Sequence, residues 1–424
     1  MSVQEMRAGN IGILVGGGPA PGINGVISAA AIRCLAEGRK VLGFEQGFKW
    51  IMQGDVSRVS PLTIEQVSRL HFCGGSILKT ARANPTKNPV HLTQTLKSLA
   101  QLGVTGLITI GGDDTCFSAL TLERAAQGRL RVVHVPKTID NDLDLPQGVP
   151  TFGFQTARHV GTEAVKSILE DARTTSHWFF VVAMGRKAGH LALGIGKAAG
   201  ATLTVISEEF PDRPVRLSKV ADILAGAIIK RLSEGRDDGV AVVAEGVAEI
   251  MNPDDFTAIG SVTRDEHGHV ELADIDFGRT LKAAVLNRLA PYGLAPTIRL
   301  KDLGFELRCA DPIPFDMEYC RDLGCCAAEF LSGGGTGAMV SIINGKFSPI
   351  PFAHILDPAT QRTRVRMVDV ASEPYRIARR YMIRLNREDF EEPERLTRCA
   401  AVVGLTPEAF REQFASVVVH ERNT

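Results

Sequence analysis

The chain has 424 residues, too many for one ordinary core, and this length predicts two or three domains. Lys+Arg and Asp+Glu balance at 48 each, which argues against nucleic acid or an anionic membrane as the main partner. Apolar residues make up 44% and charged residues 23%, a soluble globular composition, and two Trp with four Tyr offer little for stacking bases.

No apolar run approaches the roughly 20 residues that span a bilayer. The first ten residues lack a secretory apolar core, so the expected compartment is the cytoplasm. The eight cysteines, with their one cluster at Cys320, Cys325 and Cys326, lack paired CxxC spacing and read as ordinary buried or semi-buried thiols.

Along the sequence, short β-branched runs end in glycine-rich breaks, and helical patterns follow. The first unit is a strand over Ile11–Val15, a turn over Gly16–Gly22 and a helix from Asn24 to Glu37 stopped by Gly38. Glycines after a buried strand let backbone N–H groups approach an anion, and the helix start adds its positive end. Such a turn also serves packing alone. It has neither the Gly-Lys-Ser/Thr ending nor the GxGxxG spacing of nucleotide loops.

The second unit is a strand over Gly106–Ile110, then Gly111-Gly-Asp-Asp-Thr115, then a helix ending near Gly128. Two carboxylates at a strand's end suit a hard cation bound to phosphate, and one of them also suits a helix N-cap. A third strand, Leu130–Val135, runs into Pro136-Lys-Thr-Ile-Asp-Asn-Asp142, the densest polar cluster in the chain. That loop offers a cation for a phosphoryl group, a hydroxyl for orientation and a carboxylate as base.

Further strands are expected at Trp178–Ala183, Thr202–Ile206 and Gly239–Ala244, separated by helices. Alternating strands and helices predict an α/β fold of parallel sheets covered on both faces, with ligands at the strands' carboxyl ends. Ala338–Ile343, Asn344-Gly345 and Lys346–Pro351 read as a hairpin. Beyond residue 360 the sequence reads as a peripheral helical appendage.

Several of these segments, in this order, resemble the phosphofructokinase family. They are Gly17-Gly-Pro-Ala-Pro-Gly-Ile-Asn24, Gly75-Ser-Ile-Leu-Lys-Thr-Ala-Arg82, Gly111–Thr115, Pro136–Asp142 and Met184-Gly-Arg-Lys-Ala-Gly-His190. Ala244-Glu-Gly246 and Leu303–Asp316 continue the match, which spans about residues 10 to 345. The resemblance implies two Rossmann-like parallel-sheet domains with a cleft between them and a C-terminal helical and hairpin extension. The expected boundaries are 1–150 for donor binding and the catalytic loop, 151–350 for the sugar phosphate, and 351–424 for an extension packing on the core.

Carried onto matching positions, the resemblance makes Asp140 the base that takes the proton of the C1 hydroxyl of fructose 6-phosphate. An ordinary Asp, titrating near 3.9, is already deprotonated at neutral pH. Thr138, Ile139 and Asp142 would line the sugar, and Asp113 would support Mg2+. Gly17 and Gly18 would cradle the donor phosphate, with Arg82 as a further contact. Met184, Gly185 and Arg186 resemble the family's substrate turn, Glu245 would bind sugar hydroxyls, and Arg308 the 6-phosphate. For Arg186 and Arg308 the alternative is a surface salt bridge.

The donor turns on two side chains. ATP-using relatives carry glycine where this protein has Asp114 and Lys137. A carboxylate at 114 would repel the α-phosphate of ATP, and Lys137 would neutralise charge on a leaving phosphate. Both resemble the pyrophosphate-dependent branch, as does Gly-Gly-Pro at 17–19. The implied activity is reversible transfer from pyrophosphate to fructose 6-phosphate by a homodimer or higher homo-oligomer. The alternatives are an ATP-dependent 6-phosphofructokinase, action on sedoheptulose 7-phosphate, and a non-catalytic regulatory subunit. Cys309-Ala310 stands where relatives often carry glycines, which leaves the sugar the more open question.

Overall fold

A computed structural model describes residues 9–146, 148–257, 276–357 and 363–418. It contains two compact units, Met1–Val160 with Phe305–Arg366, and Gly161–Gly304 with Met367–Thr424.

In the first unit the strands begin as β1 (Asn10–Val15), β2 (Val41–Phe44), β3 (Val59–Pro61), β4 (Val104–Gly111), β5 (Arg131–Thr138) and β6 (Phe152–Gly153). All eight residues of β4 are buried, as are seven of the eight in β5, because helices cover both faces and no alternation of polar residues is needed. β1, β2, β4 and β5 pair in parallel in the order β5-β4-β1-β2. The register sets Val15 opposite Ile110 and Gly111 opposite Pro136. That alignment brings the Gly16 turn, the Gly111 turn and the polar loop to one edge of one sheet.

The strand preceding the polar loop is longer than the sequence predicts. β5 continues through Pro136 and Lys137 to Thr138, because β6 pairs with its end, Lys137 opposite Phe152 and Thr138 opposite Gly153. The loop proper therefore begins at Ile139.

The second unit contains β7 (Trp178–Ala183), β8 (Leu203–Val205), β9 (Gly239–Ala244) and β10 (Ile298–Leu303), all parallel, in the order β10-β7-β9-β8. Ala183 lies opposite both Ala244 and Leu303, so Met184, Glu245 and Gly304 follow three aligned strand ends. Gly239 is required by its neighbour: a Cβ there would stand 2.6 Å from the Trp178 ring.

From Phe305 the backbone returns to the first unit, whereas a division at residues 150 and 350 would leave this stretch in the second. The physical reason is packing. The helix Pro314–Ser332 lies against the helix Ile23–Ala36, and Gly324 permits the approach, since a Cβ there would be 2.5 Å from the Val26 carbonyl oxygen. β11 (Ala338–Met339) then joins the large sheet beside β5, β12 (Ile342–Ile343) and β13 (Lys346–Phe347) make a short hairpin, and β14 (Ile350–Pro351) pairs with β11. The expected Asn344-Gly345 turn is present, with φ of 52° and 71°, but the strands flanking it divide between two sheets.

The segment from Met367 onward is integral to the second unit, not peripheral. Phe410 and Phe414 are fully buried, each contributing about 1.5–3 kcal/mol of apolar burial. Lys230 pairs with the buried Asp389 at 2.7 Å, and the buried Arg384 pairs with Glu209 and also donates to the Thr204 carbonyl. Among the described residues no helix is long and apolar enough to cross a membrane. All eight cysteines are free thiols, and burial pushes Cys34 and Cys116 up to about 12.

Candidate active site

The turn after β1 is shaped for close backbone approach. Gly17 has φ of 82° and Gly22 has φ of 97°, a left-handed region that L side chains rarely adopt. Gly22 caps the helix Ile23–Ala36, which has no acidic residue in its first turn, leaving the helix's positive end uncompensated. Thr80 Oγ1 donates to the Gly17 carbonyl at 2.7 Å, and Gly17 N donates to the Ala81 carbonyl at 3.0 Å. The Gly75–Arg82 segment therefore backs the turn. Asn24 holds that segment's other end, donating to the carbonyls of Cys73 (3.2 Å) and Gly74 (3.1 Å) and accepting from Ile77 N (3.0 Å).

After β4 the helix Asp113–Ala126 is capped by Gly112, so neither aspartate is the N-cap. Both lie in the first turn, where the helix's positive end favours carboxylates, and Asp113 Oδ1 accepts from Asp114 N at 2.9 Å. Asp113 is half-buried and Asp114 exposed. Beneath the turn lies His134, fully buried on β5, with Nε2 3.0 Å from the Gly111 carbonyl and Nδ1 2.9 Å from Thr109 Oγ1. Burial pushes this imidazole down to about 3, so it is neutral. A carbonyl only accepts, so Nε2–H donates to Gly111 and Nδ1 accepts from the Thr109 hydroxyl.

Lys137 is the centre of the first unit's polar group. It is 4% exposed, and its Nζ donates to the Gly18 carbonyl. A Cβ on Gly17 would stand 3.6 Å from this nitrogen, and one on Gly18 would stand 3.5 Å from Arg308 Nη1. Asp140 and Asp142 attract the ammonium, while Arg308 and Arg82 repel it. Desolvation outweighs the rest and pushes Lys137 down to about 8. Arg308 lies over the Phe305 ring at 4.5 Å, with its Nε buried. In the loop, Asp140 N donates to Thr138 Oγ1 at 3.0 Å, and Ile139 is buried in the core.

This gives a pH prediction. If a charged Lys137 receives the anionic substrate, kcat/KM should fall about tenfold per unit as pH rises above 8, and Lys137→Arg should abolish that limb. The native state sheds this proton before the unfolded chain does, so the same shift makes stability rise from pH 8 toward 10.5. Unfolding cannot mimic the loss. A pH–rate profile of both proteins checks it.

The second unit assembles its own group. Gly185, with φ of 130°, donates its N–H to Glu245 Oε2 at 3.4 Å, and its carbonyl accepts from Gly246 N at 3.0 Å. A Cβ on Gly246 would be 2.5 Å from the Arg186 carbonyl oxygen, so glycine is required there. Met184 N donates to the Leu303 carbonyl at 2.8 Å. Arg186 is 61% exposed and pairs with Glu249 at 3.4 Å, the surface salt bridge expected as its alternative. Gly17, Gly18, Arg82, Lys137, Asp140, Asp142 and Arg308 thus fall together in the first unit, with Asp113 and Asp114 on the neighbouring turn. Met184, Gly185, Arg186 and Glu245 belong to the second.

Sequence reasoning missed His134, Asp316 and Arg366. The signal for His134 was one polar residue inside Val132-Val-His-Val135. Asp316 is fully buried and accepts from Gly153 N (2.9 Å), Thr156 N (2.7 Å) and Thr156 Oγ1 (2.6 Å), fixing the start of the helix that follows β6. Arg366 gave no local signal, because its partners lie more than 200 positions away.

The phosphofructokinase family model matches residues 10–331. Over 96% of its length the protein is 51% identical to a pyrophosphate–fructose 6-phosphate 1-phosphotransferase of Thermotoga maritima, covering 98% of that protein. It is 49% identical to a protein of the same name from Naegleria fowleri, over 96% of its own length and 95% of that relative's. The fold matches a crystal structure of a pyrophosphate-dependent phosphofructokinase from Nitrosospira multiformis, with a TM-score of 0.66 at 16% identity over 94% and 92% of the two chains.

Proposed function

This chain belongs to the phosphofructokinase family, and we infer that it transfers a phosphoryl group reversibly from pyrophosphate to the C1 hydroxyl of fructose 6-phosphate, giving fructose 1,6-bisphosphate and phosphate. The observation that carries the reading is the buried Lys137 ammonium, held on the Gly18 carbonyl between the glycine turn and the Asp140 loop.

In this reading the first unit holds the donor and the catalytic groups, and Met184, Gly185, Arg186 and Glu245 are the sugar-binding residues that the family resemblance implies. Asp140 accepts the proton of the C1 hydroxyl while the oxygen attacks in line. Lys137 neutralises charge on the transferred group or the departing phosphate. The backbone of the Gly17–Gly18 turn cradles the donor, with Arg82 as a further contact, and Arg308 receives the sugar's phosphate. Thr138 fixes the loop by accepting from Asp140 N. Asp142 orients the sugar, and Ile139 backs the loop from the core.

Asp113 would hold Mg2+, which when bound neutralises charge on the donor's phosphates. The residues fit such a metal. Asp113 is half-buried in the first turn of its helix and offers one carboxylate there, which suits a hard cation otherwise held by phosphate oxygens and water. Action as a homodimer or higher homo-oligomer belongs to the same reading.

The test is turnover by the purified protein with Mg2+, in both directions. Fructose 1,6-bisphosphate should form from pyrophosphate and fructose 6-phosphate, and pyrophosphate from the bisphosphate and phosphate. Failure of the reverse direction would overturn the reading.

A further inference from the structure

The family match ends at residue 331, yet a segment far beyond it lies across the loop that carries Asp140 and Asp142. Val365 bridges Leu143 in antiparallel fashion, and Arg364 Nε pairs with Asp144 Oδ2 at 2.9 Å. Arg366 then engages the loop with its backbone and with every nitrogen of its guanidinium. Its N–H donates to the Asp142 carbonyl at 2.8 Å, and Nε donates to the Asn141 carbonyl at 3.1 Å. Nη2 donates to Asn141 Oδ1, and Nη1 donates to the carbonyls of Val149 (2.7 Å) and Leu145 (3.3 Å).

Asn141 stands between the two aspartates with φ of 56°, a left-handed backbone that asparagine tolerates better than most side chains and that its surroundings here hold in place. Asn141 Oδ1 also accepts from Thr151 N at 3.0 Å, and Thr151 Oγ1 donates to the Thr138 carbonyl at 2.7 Å. Both Asn141 oxygens are therefore occupied, and Arg366 supplies a donor to each. Only a planar fork with several fixed donors reaches these carbonyls together, and an ammonium is a single point. Burial pushes the Arg366 guanidinium down from its ordinary value, and Asp142 and Asp144 on the loop oppose that shift.

We propose that Arg366, which follows the family-matched region by more than thirty positions, is a positioning residue that holds Asp140 and Asp142 in working geometry by fixing the Asn141 backbone between them. The proposal rests on the reading of Asp140 as base and gives this part of the extension its role.

The experiment measures kcat and both KM values for wild type, Arg366→Ala and Arg366→Lys, with and without millimolar guanidinium ion. Arg366→Ala should lose about a hundredfold in kcat with each KM within about threefold, because small misplacement of a reacting group costs rate before binding. Guanidinium should recover about tenfold of that loss in Arg366→Ala and nothing in wild type. Arg366→Lys keeps the charge and the stem, should stay folded, and should remain about tenfold slow. It decides the matter if the alanine variant does not fold. Turnover by Arg366→Lys within about twofold of wild type overturns the proposal, as does a rise in KM at unchanged kcat, or absence of guanidinium recovery in a folded Arg366→Ala. The variant-to-wild-type ratio is read with whichever donor the wild type uses. A wrong donor assignment would therefore appear in the wild type and leave this ratio intact.

Discussion

Replacing Asp140 with Asn should lower kcat by about 10²–10⁴-fold and leave both KM values within a few fold. The amide matches the carboxylate in shape but cannot take the proton of the C1 hydroxyl. The loop should survive the change, because Asp140 is tied to Thr138 Oγ1 through its backbone N–H, and Asn141 and Asp142 are held by Arg366. One side effect is calculable in sign. Asp140 is the largest attraction keeping Lys137 protonated, so its neutralisation should move the alkaline limb of the pH profile below pH 8. Steady-state kinetics over a pH range measures both. A kcat within tenfold of wild type would remove Asp140 from the role of base.

The paired substitution Asp114→Gly with Lys137→Gly should tighten ATP binding by about a thousandfold. Two negative groups 4 Å apart at an effective dielectric of about 20 repel by about 4 kcal/mol, and that is the barrier removed. Asp114 is exposed in the first turn of its helix, so its removal reshapes the surface and not the core. Glycine there costs about 1 kcal/mol of helix stability. Lys137 differs, being buried and bonded to the Gly18 carbonyl, so its loss should also weaken pyrophosphate binding. Calorimetric titration of ATP and pyrophosphate into the double variant and each single variant separates the two effects. An unchanged ATP affinity in the Asp114→Gly single variant would show that the charge at this position does not exclude ATP.

What was legible in the sequence follows from the range of the interactions involved. β7 and β9 lie where the apolar runs placed them, since a strand buried on both faces writes itself as an unbroken apolar segment. The Gly16 and Gly111 turns were legible because glycine marks a backbone geometry directly. The end of β5 was not, because pairing with β6 draws Pro136, Lys137 and Thr138 into the sheet. The hairpin at Asn344-Gly345 was half legible: the turn is local, but β11 and β14 answer to β5 across the sheet. His134 showed only as one polar residue in an apolar run, and Arg366 acts through contacts that no local pattern announces. The return of Phe305–Arg366 to the first unit likewise depends on helix Pro314–Ser332 finding helix Ile23–Ala36.

Donor choice rests on Asp114 and Lys137, two side chains among many that the family shares, and it is the narrowest claim made for this protein. The direct measurement offers purified wild type fructose 6-phosphate and Mg2+ with either pyrophosphate or ATP, and compares kcat/KM for the two donors. Pyrophosphate should be preferred by about a thousandfold, the factor expected from the charge at Asp114. Turnover with ATP equal to or better than turnover with pyrophosphate would contradict it.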